Sequence, residues 1–338
     1  MARELASFVV RGAGKALPAG RLSNEDLAAA LGTTPESIEA RTGIVERRVA
    51  RNGESASALG ALAGRQALEE AGLDPRDVDL LVLSTYTPDH LLCPTSPTLA
   101  HRLGATGAGT FDVNAACSGG VTSLLAGASL LGTGGFRNVL VVAADLTTRY
   151  IREDDPKTRL VFGDGAAALL LAPPGSAGDG LLFRVRSAFL GSDGSGAEHF
   201  LVPEGGTGPA RINGTPLDGV RTVVMNGRAI FRFGVEQGAR VVETLLARAG
   251  RTAGDVSWVV PHQANLRIIR AMEERTGIPG DRWVTNLQRY GNTASPSVLL
   301  ALVEMLEQGR VRPGDVGLLV AFGAGLTWSG LLVEIDRT

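Results

Sequence analysis

With 338 residues, the chain is long enough for one large domain or two ordinary ones around a sizeable buried core. A formal net charge of −2 and 20% charged residues leave no basic excess for nucleic acid and no acidic tail for a basic partner, and no run of about 18 apolar residues offers a membrane span. Two cysteines, Cys93 and Cys117, cannot make a disulfide framework; this, and the lack of an apolar core after the initial Met-Ala-Arg-Glu, makes a reducing, cytoplasmic location the expectation.

In chain order, a helical run over 61–71 closes at Ala71-Gly72 and leads to an apolar strand over 77–83. An extended run over 110–113 gives way to small residues, then Cys117, then a helical pattern over 121–131 and a strand over 139–143. A Gly163-Asp164-Gly165 turn feeds an apolar strand over 166–171, and the glycine-rich stretch 191–219 reads as a long connection. A helix over 240–249 then closes at Ala249-Gly250, with a strand over 255–260. Last come a helix over 297–308, a strand over 316–320, the turn Gly323-Ala324-Gly325 and a strand over 331–335.

The second series repeats the first. Both the helix-closing Ala-Gly and the strand after it recur at an offset of 178 residues, and each half ends in a Gly-x-Gly turn feeding an apolar strand. Strands with little alternation suit a sheet covered by helices on both faces. The reading is a layered α/β duplication with halves at 1–175 and 176–338.

Cys117 stands at a strand-to-helix junction, where unpaired helix N–H groups and the helix dipole favour a thiolate. Its small neighbours Ala115, Ala116, Ser118, Gly119 and Gly120 leave room for an acyl group. A buried structural thiol is the competing reading. The offset carries Cys117 onto Ser295, inside Gly291-Asn292-Thr293-Ala294-Ser295-Pro296, which also precedes a helix. A third constellation, Pro261-His262-Gln263-Ala264-Asn265, closes the strand over 255–260, at the end of the sheet where open α/β folds bind ligands. Taken singly, His262 is a hydrogen-bonded turn histidine and Asn292 an Asx turn or helix cap. The repeat brings all three to one end of the molecule.

Cys117, Pro261-His262-Gln263-Ala264-Asn265-Leu266-Arg267, Gly291-Asn292-Thr293 and Ala321-Phe322-Gly323-Ala324-Gly325-Leu326-Thr327-Trp328 together resemble β-ketoacyl-acyl-carrier-protein synthase III of the thiolase superfamily. The resemblance extends to Arg41-Thr42-Gly43-Ile44 and Phe162-Gly163-Asp164-Gly165. It implies a thiolase-like duplicated fold, layered αβαβα, a homodimer, a Cys117-His262-Asn292 triad and no cofactor beyond CoA or acyl-carrier-protein thioesters as substrates. These residue types suit the chemistry. Cys117 forms an acyl-enzyme, and His262 and Asn292 donate hydrogen bonds to the enolate left when a malonyl thioester loses carbon dioxide. Backbone N–H groups of Cys117 and Ala324 would hold the oxyanion of the condensation.

On the substrate side, the resemblance places Arg41 and Arg267 against CoA phosphates or the carrier protein, with a surface ion pair as the alternative. Ser37 and Pro156 stand where the family often has the tryptophan and arginine of an adenine clamp, which leaves room for a carrier-bound donor. Cys93 aligns with a residue that reaches the acyl pocket of the partner subunit, with a plain buried thiol as the alternative. No glutamate lies in 85–98 to serve as the base of a head-to-head condensation, so decarboxylative chemistry is expected. Acyl transfer to an alcohol or amine, and a non-catalytic partner of a condensing enzyme, are the competing functions.

Overall fold

The computed structural model describes residues 5–51, 53–176, 180–209, 211–212, 215–217 and 219–338. The chain begins with β1 (Ala6–Ala16), the hairpin β2 (Gly20–Ser23) and β3 (Glu46–Val49), and, between them, α1 (Asn24–Leu31) and α2 (Pro35–Thr42). Next come α3 (Ala56–Ala71), β4 (Leu80–Ser84), α4 (Ser96–Leu103), β5 (Gly109–Val113), α5 (Gly119–Leu131) and β6 (Val139–Asp145). A short α6 (Pro156–Arg159) precedes β7 (Gly165–Ala172), β8 (Leu181–Ser192) and the two-residue strands β9 (Phe200–Leu201), β10 (Arg211–Ile212), β11 (Thr215–Pro216) and β12 (Val224–Met225). The remainder is α7 (Gly227–Ala249), β13 (Trp258–Pro261), α8 (Leu266–Thr276), α9 (Leu287–Tyr290), α10 (Pro296–Glu307), β14 (Val316–Gly323) and β15 (Thr327–Arg337).

Nine strands join in one sheet in the order β13-β14-β15-β8-β1-β7-β6-β4-β5. The order is nearly palindromic about the antiparallel seam of β1 and β8, where Phe8 faces Phe183. Outward from the seam, each side runs through an antiparallel pair, β6 with β7 or β14 with β15, to a parallel one, β4 with β6 or β13 with β14.

Alternate strand residues feed different cores, since successive side chains point to opposite faces. Val139, Val141 and Ala143 join a central cluster with Val121 and Leu124 of α5 and Val298 and Leu302 of α10. Leu140, Val142 and Ala144 face outward to α3 and α4. In the second half, Leu319 and Ala321 turn to the same central cluster, while Leu318 and Val320 face α7 and α8. The layers are therefore helix, sheet, the α5/α10 pair, sheet, helix. Burial on both faces is why these strands read as unbroken apolar runs.

Element boundaries depart from the sequence expectations where side chains rather than periodicity set them. Strands expected from 77 and 255 begin at Leu80 and Trp258, because single 3₁₀ turns, Pro75–Asp77 and Ala253–Asp255, come first. The Asp74 carboxylate accepts the Arg76 N–H at 2.9 Å and the Asp255 carboxylate accepts the Thr252 N–H at 2.7 Å, which holds those turns. Helix α7, expected over 240–249, starts at Gly227, capped by Asn226. Its first turns bring Ile230, Phe231 and Phe233 to the edge of a cavity, with Phe233 also packed on Phe322 and Trp328.

Candidate active site

Cys117 sits in a 3₁₀ turn, Ala116–Ser118, between the end of β5 and the start of α5, and is 3% exposed. Its predecessor Ala116 has φ 46°, a left-handed backbone that is strained for alanine. Two glycines bring other elements against this turn. A Cβ on Gly120 would lie 2.3 Å from the carbonyl oxygen of Ser295, so only glycine lets α5 meet the start of α10. A Cβ on Gly323 would lie 2.8 Å from both the Cβ and the backbone nitrogen of Cys117, which lets the end of β14 cover the nucleophile turn.

His262 follows β13, and its N–H donates to the Val320 carbonyl at 2.7 Å. The imidazole is 2% exposed, edge-on to Phe322 with ring centroids 5.4 Å apart, and its Nδ1 lies 2.7 Å from Ser297 Oγ. Burial holds it down to about 3, so it is neutral at physiological pH. Ser297 Oγ lies 3.5 Å from the Gln263 N–H, from which it accepts. The hydroxyl can give its own proton to Nδ1, and in that tautomer the imidazole presents an Nε2–H to the cavity.

Asn292 is 5% exposed and fixed on both backbone sides: its N–H donates to Val161 O and its carbonyl accepts from the Gly163 N–H, each at 2.9 Å. Its Oδ1 accepts the Ala294 N–H at 2.9 Å. The Asx turn considered as an alternative is therefore present, and it orients the amide so that Nδ2 is the donor left for a ligand.

Cys117, His262, Asn292 and Ala324 line a single cavity of about 370 Å³. Arg41 and Arg267 line it too, both exposed. Asn265 connects them: its Nδ2 donates to Arg41 O at 3.2 Å and its Oδ1 accepts the Arg267 N–H at 2.8 Å, capping α8. The Arg267 guanidinium lies 5.6 Å from the centroid of Phe231, and among the described residues neither arginine has a carboxylate partner, unlike the surface ion pair weighed above. Pro156 and Lys157 complete that side, whereas Ser37 lies outside the lining, in the first turn of α2, where its N–H donates to Oγ1 of the capping Thr34.

Cys93 is not part of this lining and is not a buried thiol. It is exposed, with φ 84°, next to Leu91 and Leu92, which are 81% and 85% exposed.

The thiol itself departs from expectation. Burial, reinforced by the Asp145 carboxylate, pushes the Cys117 thiol up rather than down, because α5 begins only at Gly119 and the turn before it is excluded from water. Asp145 is 0% exposed and itself pushed up to about 6 by burial. It accepts from Thr85 Oγ1 at 3.1 Å, Thr87 Oγ1 at 3.0 Å, Ser295 N at 3.0 Å and Ser295 Oγ at 2.5 Å. Asp145, Ser297 and Phe322 are site residues that sequence reasoning missed. The signal that could have found Ser297 is the Ser-Pro-Ser at a helix start beside the Asn292 turn.

A buried cysteine, a neutral histidine and an oriented amide around one cavity, at matching ends of a duplicated αβαβα fold, define a thiolase-fold condensing enzyme. Residues 111–196 match the 3-oxoacyl-[acyl-carrier-protein] synthase III family and residues 246–335 its C-terminal part. A β-ketoacyl-[acyl-carrier-protein] synthase III of Roseiflexus castenholzii is 44% identical, covering 98% of this chain and 99% of its own. Among solved structures, the β-ketoacyl-[acyl-carrier-protein] synthase III of Thermus thermophilus is 37% identical with a TM-score of 0.87, over 96% of this chain and 98% of that one. The priming β-ketosynthase of the R1128 polyketide pathway is 36% identical with a TM-score of 0.86, over 100% and 99%. The chain belongs to the β-ketoacyl-acyl-carrier-protein synthase III family, and is an acyltransferase of the ketosynthase III type.

Proposed function

We propose that this enzyme loads an acyl group from a thioester onto Cys117 and condenses it decarboxylatively with a malonyl thioester. The reading rests on one observation: Cys117, His262, Asn292 and Ala324 all line the same cavity. In the first step the Cys117 sulfur bonds the acyl carbon, the bond to the donor sulfur breaks, and the thiol proton leaves with the donor thiol. In the second, malonyl C–C cleavage releases carbon dioxide and an enolate, whose oxygen takes hydrogen bonds from His262 Nε2–H and Asn292 Nδ2–H. A neutral imidazole suits this role, since it donates without the cost of a buried cation. The carbanion attacks the acyl-Cys117 carbonyl, the Cys117 and Ala324 N–H groups hold the oxyanion, and collapse expels the Cys117 sulfur. That sulfur takes up one proton, which its raised affinity favours.

Arg41 and Arg267 are proposed to receive the phosphates of the carrier, since their unpaired guanidiniums stand at the cavity mouth. An exposed Pro156 in the lining and Ser37 outside it favour an acyl-carrier protein as donor over CoA. The exposed Leu91-Leu92-Cys93 segment supports a homodimer in which a second copy covers it. Two unpaired cysteines support a cytoplasmic enzyme, and no helix of the described residues is long and apolar enough to cross a membrane. The halves 1–175 and 176–338 are proposed as the two units of the duplication; the division falls between β7 and β8.

Intact-mass measurement of acylated Cys117, followed by carbon dioxide release on adding a malonyl thioester, tests this reading. An adduct that persists in Cys117→Ala, or ester or amide product without carbon dioxide, overturns it.

A further inference from the structure

Both halves of the proposed enolate site are tied to a buried polar network that the chemistry above leaves unused. Gln263, the residue after His262, is 0% exposed and uses its whole side-chain amide. Its Nε2 donates to Pro261 O at 2.7 Å and Val284 O at 3.1 Å, and its Oε1 accepts from Asn286 N at 3.0 Å and Leu287 N at 3.3 Å. It thus fastens the end of β13 to the segment that runs through α9 into Gly291-Asn292.

Glu304 grips the same segment from α10. At 6% exposure, its Oε2 accepts from Asn286 Nδ2 at 3.1 Å and Arg289 Nη2 at 2.7 Å, and its Oε1 accepts from the Tyr290 hydroxyl at 2.6 Å. Lys15 Nζ lies 3.7 Å from its Oε1. Helix α10 is also the helix whose first turn carries Ser297 onto His262. The connections close into a ring: His262 to Gln263, to the turn at Asn286, to Asn292, into α10 and back through Ser297 to His262. Glu304 spans it, holding three residues of the turn against the rear of the same helix.

A buried carboxylate is costly unless several donors satisfy it, and removing one partner from such a network exposes that cost. In apolar cores the same volume is filled by leucine. Here the charge holds a turn that ends two residues before Asn292.

We propose that Glu304, acting with Gln263, is a positioning residue that sets the separation of the His262 and Asn292 donors, and so serves the decarboxylation step and not the acylation of Cys117. This rests on the enolate reading above. Cys117 sits in the turn before α5, whose start meets α10 at Ser295, and it shares none of the bonds made by Gln263 or Glu304, so loading should depend on the ring far less than decarboxylation does.

Glu304→Gln tests this, with Tyr290→Phe as a milder variant that removes a single spoke. Each is compared with wild type in two half-reactions: acylation of Cys117 by intact mass, and carbon dioxide release from a malonyl thioester by the acylated enzyme. Glu304→Gln is expected to acylate within about twofold of wild type, while kcat for carbon dioxide release falls about tenfold or more and KM for the malonyl thioester changes less than threefold. Tyr290→Phe is expected to lie between the two. Equal losses in both half-reactions, a loss in KM alone, or no loss in either variant overturns the proposal. If Glu304→Gln does not fold, the same split in Tyr290→Phe decides. Absence of carbon dioxide release from wild type itself would instead reject the enolate reading.

Discussion

Ala116 and Ala294 hold the same left-handed backbone, φ 46° and 63°, at positions 178 residues apart, one residue before Cys117 and Ser295. Among the described residues only three non-glycine residues have positive φ, and the third, Cys93, lies elsewhere. Each conformation costs about 1–3 kcal/mol, so the duplicated strain is held by the packing of α5 against α10.

Ala116→Val should be poorly tolerated, because a β-branched side chain is worst in that region. The expected result is a loss of about 2 kcal/mol or more in denaturant unfolding and no acyl adduct on Cys117. A variant with wild-type stability and loading would show that the strained turn does not set the cysteine.

The pH dependence of Cys117 alkylation separates burial from helix-dipole effects. With the thiol pushed up by burial and by Asp145, iodoacetamide reactivity should still be rising at pH 9, above the range of an ordinary thiol. Asp145→Asn should move the curve to lower pH. A wild-type midpoint below 8 would contradict the burial account.

His262 carries a proton below about pH 3 in the folded enzyme and below about 6.5 when unfolded. As pH falls from 6.5 toward 3, the unfolded chain takes up a proton that the folded one refuses, so stability is lost across that window. Thermal unfolding of wild type should drop between pH 7 and pH 5 by more than that of His262→Ala. The kcat profile should show no inflection near pH 6.5, and His262→Ala should lower carbon dioxide release about 10²- to 10³-fold.

Ser297→Ala removes the hydroxyl paired with His262 Nδ1 at 2.7 Å. The imidazole then loses its tautomer bias, and carbon dioxide release is expected to fall about tenfold with Cys117 acylation unchanged. Equal effects on both half-reactions would assign Ser297 to packing alone.

Gly323→Ala would place a methyl 2.8 Å from the Cβ of Cys117, in a wall with nowhere to move. A loss of about 1–3 kcal/mol and of most acylation is expected, measured by unfolding and intact mass.

Much of the site was legible before the fold. The offset of 178 residues paired Cys117 with Ser295, and the structure meets it with Gly120 packed against the Ser295 carbonyl. His262 and Asn292 were found because short motifs at strand and helix ends carry their own turn chemistry. Ser297, Phe322 and Asp145 were not, because a serine, a phenylalanine and an aspartate gain meaning only from partners that are remote in sequence. Helix α7 was read too short for a related reason. Its first turns gain their packing from partners remote in sequence, Phe233 on Phe322 and Trp328.

By itself, then, the sequence determined the duplication, the buried strands and the three residues that meet at one cavity, since periodicity, turn residues and repeats are local properties of a chain. Tertiary structure alone decided the state of those residues. The Cys117 thiol is raised because water is excluded from its turn, His262 is neutral because its surroundings are apolar, and the Asn292 amide is aimed because Ala294 holds its oxygen. Desolvation and hydrogen-bond direction depend on which distant segments meet, and that information exists only once the two halves have closed on each other.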